Sequence, residues 1–109
     1  MQKGYIYLVN FDPSTGKEFQ KTRPALIIQS ENIKSSLVTI IPLSSQVQNK
    51  EQYDVFIQKD KDNRLFSDSL LKVKQISSFD KQRCIHFIGY ADKKIQKEID
   101  KYLLKHFDI

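Results

Sequence analysis

The chain has no tryptophan, one cysteine, one methionine, two histidines, three glycines and three prolines in 109 residues. Cys84 alone cannot close an internal disulfide or make a multi-cysteine metal site. The expected compartment is therefore the cytoplasm. No apolar run reaches the 18 residues that would suggest a membrane-spanning helix. The opening Met1-Gln2-Lys3-Gly4-Tyr5 reaches polar residues by Asn10, so no signal-peptide core fits. Glycine is too sparse for GxGxxG or GxxxxGK[ST], which excludes the usual phosphate-cradling loops. His86 and His106 are far apart and lack metal-ligand spacing, so no metal or other cofactor is expected. His106 suits the negative end of a terminal helix. His86 and Cys84 read as ordinary strand residues.

Charge is plentiful. Eighteen Lys and Arg against thirteen Asp and Glu leave +5 at neutral pH. Residues 1–52 carry six basic and four acidic side chains, and residues 53–109 carry twelve and nine. The excess is spread along the chain without a basic tail. Such a surface suits an anionic partner, and it equally serves solubility.

The pattern predicts one domain over 1–109, mainly β with a C-terminal helix. Gly4–Phe11 is aromatic and branched on both faces, a buried strand. Asp12-Pro13-Ser14-Thr15-Gly16 is a turn signal opening a long polar loop to Thr22. Pro24–Ile28, Leu37–Leu43 and Tyr53–Ile57 are further strands. Pro42 suggests a sheet edge or the end of its strand. Gln58–Asp68 reads as a flexible charged loop. Ser69–Ile76 reads as a half-exposed strand with a basic outer face, and Gln82–Tyr90 as the last strand. Asp92 is placed to cap a helix running to about Phe107. Its apolar stripe is Ile95, Ile99, Tyr102, Leu103 and Phe107, and its lysines form a solvated face.

Two segments stand out chemically. Gly16–Pro24 brings an acid, several cations and Arg23 to the mouth of a buried strand, and Pro24 holds Arg23 extended. Ser44-Ser45-Gln46 leaves another buried strand. If those strands pair, Arg23 and Ser44 face one cleft, where a guanidinium fork and a hydroxyl suit a phosphodiester. The same residues also fit an arginine bonded to loop carbonyls and a serine ending a strand.

Lys3–Pro13, Gly16-Lys17-Glu18 and Thr22–Ile28 together resemble the MazF/PemK toxins, the endoribonuclease halves of type II toxin–antitoxin pairs. Ile41–Gln46 resembles the family's second motif and Asp68–Ile76 its third. Phe87-Ile88-Gly89 and the terminal helix extend the likeness over nearly the whole chain. The resemblance implies a small SH3-like (CcdB/PemK-type) antiparallel barrel acting as a homodimer. It implies sequence-selective, metal-independent cleavage of single-stranded RNA or mRNA by 2′-hydroxyl attack. The expected products are a cyclic phosphate and a 5′-hydroxyl. By motif position Arg23 and Ser44 are the catalytic pair, with Glu18 beside them. Lys17, Phe19, Lys21, Ser45, Gln46, Lys72, Lys74 and Gln75 are the expected RNA contacts. A cognate acidic antitoxin is the expected protein partner, and operator DNA is expected only through it. The alternatives are a gyrase-binding toxin of the CcdB type and a catalytically silent relative that binds RNA or antitoxin. The CcdB type depends on a C-terminal tryptophan that this chain lacks.

Overall fold

A computed structural model describes residues 1–11 and 22–109. Its elements are β1 (Tyr5–Asn10), β2 (Thr22–Ile27), β3 (Leu37–Ser44), β4 (Val55–Ile57), β5 (Ser69–Leu71), β6 (Ser77–Asp80), β7 (Cys84–Tyr90) and α1 (Lys93–His106). The strands are antiparallel and run in the spatial order β4-β5-β3-β2-β1-β7, with β6 added alongside β3. The described path does not close on itself, so the expected small barrel takes an open form.

Apolar residues on both faces of β1 and β2 give two cores. Ile6, Leu26, Ile41, Leu43, Leu71 and Ile99 pack in the cluster covered by α1. Val9, Ala25, Ile27, Val38 and Ile40 form a second cluster, flanked by Tyr5, Tyr7, Phe11 and Phe79. The strand period of two sends alternate side chains of one strand to different cores.

Asp92 caps α1 as expected, its Oδ1 accepting from Ile95 N at 2.9 Å. Ile99 is fully buried, and Tyr102 stacks on Tyr53 with ring centroids 5.3 Å apart. Phe107 departs from the expected stripe. It follows the last helical turn and is exposed.

Three readings of the sequence are corrected. Pro42 lies inside β3, buried, opposite Ala25. Its carbonyl accepts from Lys72 N at 2.9 Å. Groups on one strand residue point the same way, so the missing N–H faces the break where β3 exchanges partner β5 for β6. Ser69–Ile76 is not one strand. β5 ends at Leu71, Val73–Gln75 is a 3₁₀ turn, and β6 begins at Ser77. The third correction concerns Gln58–Asp68, a dense set of side-chain-to-backbone bonds.

Candidate functional site

β2 and β3 are paired from Ile27 opposite Ile40 to Ala25 opposite Pro42, and Arg23 and Ser44 lie two residues beyond that last pair on their strands. Both residues line one groove of about 810 Å³, together with Ser45, Gln46 and Thr22. The juxtaposition the sequence made conditional on strand pairing is thus present.

Arg23 is exposed, with its guanidinium carbon 5.8 Å from the centre of the Phe11 ring. Phe11 meets Phe79 edge-on at 5.2 Å, and Arg83 lies over the far ring at 5.9 Å. A cation over an aromatic face is attracted to its quadrupole, which gives the Arg23 fork a preferred orientation. Ser44 Oγ accepts from Gln46 N at 3.1 Å, a local turn that directs the chain out of β3 along the groove.

Lys17, Glu18, Phe19 and Lys21 lie outside the described residues. Lys72, Lys74 and Gln75 are not among the described residues lining the groove. Lys74 and Gln75 are exposed on the 3₁₀ turn. Lys72 corrects the expected basic strand face. Its Nζ is 2.6 Å from Asp54 Oδ2 and 3.3 Å from Glu51 Oε1, and its side chain is only 12% exposed. The Asp54 hydrogen bond, against the cost of burial, raises the Lys72 pKa above its usual value.

The opposite wall contains residues that sequence reasoning passed over. His86 lies opposite Leu8 on the outer strand β7 and reaches the groove with Leu8. It is the one imidazole among the described lining residues, a ring that can both donate and accept a hydrogen bond. Arg64 and Phe66 come from the Gln58–Asp68 loop. There Asp60 Oδ1 accepts from Asp62 N and Asn63 N at 2.9 and 2.7 Å. The buried Asn63 accepts from Asp60 N and Leu65 N, both at 3.0 Å, and donates to Gln58 O at 2.9 Å. Asp68 Oδ1 takes Lys59 N at 2.9 Å and joins the loop's ends. Gly89 lets β7 approach closely, since a Cβ there would stand 2.4 Å from Asp62 O. The signal was the D-x-D-N spacing from Asp60 to Asn63, since Asx side chains bond their own backbone two or three residues on.

The described lining therefore presents two guanidiniums, several hydroxyls and an imidazole, and no carboxylate. Such a wall attracts a phosphate chain directly.

Comparison with known proteins shows the family. The model of the PemK-like, MazF-like toxins of type II toxin–antitoxin systems matches residues 2–107, and the chain belongs to that family. Among individual proteins, it is 29% identical over 103 residues to the endoribonuclease MazF of Staphylococcus saprophyticus, covering 92% of this chain and 85% of that protein. Its fold is that of a MazE–MazF structure from Deinococcus radiodurans, with a TM-score of 0.81 and 20% identity over 100% of this chain and 96% of that one. The Mycobacterium tuberculosis toxin MazF-mt6 superposes with a TM-score of 0.78 and 20% identity, covering 96% and 97% of the two chains. Among the described residues no helix is long and apolar enough to cross a membrane.

Proposed function

We propose that the groove between β2, β3 and β7 binds single-stranded RNA and cleaves it without a metal ion. As a toxin of this family the chain is an endoribonuclease. The observation that carries the mechanism is the placement of Arg23 and Ser44 on one cationic groove. The 2′-oxygen forms a bond to its own phosphorus as the P–O5′ bond breaks. The 2′-hydroxyl gives up a proton and the departing 5′-oxygen takes one. The negative phosphorane between them is held by Arg23, whose fork spans two oxygens, and by the Ser44 hydroxyl. Arg23 stays charged throughout, so it does not carry the proton. His86 and Glu18 are of the right types for that duty.

The test is cleavage of a defined single-stranded RNA in excess EDTA, with both new ends mapped. A 2′,3′-cyclic phosphate and a 5′-hydroxyl are expected. Loss of cleavage in EDTA, or a 5′-phosphate end, would overturn the mechanism. Intact RNA together with gyrase binding would replace it with the CcdB-type reading.

The active form we propose is a homodimer, countered by an acidic antitoxin. Strand β7 has one edge unpaired among the described strands and exposes Ile85, Phe87 and Tyr90. An edge of this kind is a template for another chain. The +5 charge supplies the attraction for an acidic segment that folds on binding. Sedimentation at low micromolar concentration is expected to show a dimer that an acidic antitoxin segment enlarges. Monomer alone, indifferent to that segment, would contradict both statements.

A further inference from the structure

The rim of the groove carries an unusual aromatic. Phe66 is 101% exposed, as open as a side chain can be, yet it stands on a bonded loop. Its neighbours explain the placement. Leu65 is buried in the core beneath α1, and Asn63 is buried and bonded through both its Oδ1 and its Nδ2. With Leu65 turned in, Arg64 and Phe66 on either side are turned out. Arg64 holds a positive φ of 55°, an uncommon conformation for a side chain of its size, and its N–H donates to Asp60 O at 3.0 Å. Tyr90 N donates to Asp62 O at 3.0 Å and ties the loop to β7. The loop thus spends its polar groups on holding its own shape, and delivers a ring and a guanidinium to the groove that holds Arg23 and Ser44.

We propose that Phe66 is a stacking platform for one unpaired nucleobase of the substrate, and that Arg64 grips the phosphate beside it. This rests on the reading of the groove as an RNA site. An aromatic face accepts any base, so the platform supplies affinity and register and leaves discrimination among bases to hydrogen-bonding groups. The cost of ordering an exposed ring falls before binding, because the loop already fixes its backbone. A nucleic acid fits better than an apolar peptide segment. The groove that the ring borders is also lined by Arg64, Ser44, Ser45 and Ser67, and among the described lining residues no carboxylate opposes a phosphate.

The experiment uses a single-stranded oligonucleotide of a cleaved sequence with 2′-deoxy sugars, so that it binds without reacting, and with 2-aminopurine at successive positions. With the full chain, one position is expected to lose fluorescence on binding, as stacking requires. Phe66→Ala and Phe66→Leu are expected to abolish that quenching and weaken binding about 5- to 100-fold. Phe66→Trp is expected to restore both. Arg64→Ala is expected to lower the slope of log affinity against log salt by about 0.7, one phosphate contact on a single strand. Phe66 is fully exposed, so these variants leave the core intact. If the parent binds and cleaves RNA but Phe66→Ala binds the oligonucleotide equally well, the platform is overturned and the nuclease reading stands. If Phe66→Leu keeps full affinity, the contact is generic and apolar, and stacking is overturned. If Phe66→Ala loses only the acidic antitoxin, the loop is a protein-docking surface and the proposal is likewise overturned.

Discussion

Replacing Arg23 with alanine is expected to slow RNA cleavage by about 10²–10³-fold while leaving the melting temperature close to that of the parent. The first half follows from the role of the guanidinium. A preorganised donor aimed at developing charge is worth about that factor, because its grip tightens as the phosphorane gains charge. The second half follows from exposure, since Arg23 contributes little to either core. Arg23→Lys is expected to be nearly as slow, for an ammonium lacks the planar fork. Ser44→Ala is expected to cost less, and Ser44→Thr to be tolerated, since the hydroxyl survives. Phe11→Ala is a positioning change. It removes the ring under the guanidinium, so it is expected to lower kcat while Phe11→Tyr restores it. Cleavage of a short RNA beside a melting curve checks the series. A folded Arg23→Ala protein that cuts at the parent's rate would remove Arg23 from the site.

Arg23 and Ser44 were within reach of sequence reasoning because each sits at the end of a hydrophobic strand beside a strong local signal. Pro24 fixes the residue before it, and the Pro42-Leu43-Ser44 run ends where apolar character ends. The other wall was less legible. Arg64, Phe66 and His86 come from a loop and an outer strand distant in sequence from Arg23, and only tertiary pairing assembles them. The loop's charged composition suggested mobility. Composition, however, reports what a segment is made of and not which groups it bonds, and Asp60, Asn63 and Asp68 turn their polar atoms onto the backbone. Period-two counting failed at Lys72 for a related reason. Leu71, Lys72, Val73 and Lys74 alternate correctly for a strand, but the chain tightens into a 3₁₀ turn there and Lys72 meets a carboxylate eighteen residues earlier.

That meeting sets the second large effect. Asp54 has a side chain 1% exposed and bonds two donors through Oδ2, Lys72 Nζ at 2.6 Å and Glu51 N at 2.8 Å. Lys72→Met leaves a buried carboxylate with one amide donor. Breaking a buried pair in this way costs about 3–5 kcal/mol, a fall in melting temperature on the order of 10–20 °C for a domain of this size. Glu51→Gln is expected to cost under about 1 kcal/mol, because Glu51 is 65% exposed and its charge is screened. Adding Asp54→Asn to Lys72→Met is expected to recover much of the loss, since the amide oxygen still accepts from Glu51 N while the stranded charge is gone. The pH dependence has a definite sign. The folded pKa of Lys72 is raised above 10.5, so the pair's contribution is complete below that pH and disappears as the pH climbs through the raised value. The parent should therefore lose stability at strongly alkaline pH more steeply than the double variant does. RNA binding separates this role from a phosphate contact. With its ammonium turned inward, Lys72 adds nothing to the salt dependence, and the slope for Lys72→Met measured below its melting range should match the parent. A slope lower by about 0.7 with unchanged stability would mean that Lys72 abandons Asp54 for a phosphate.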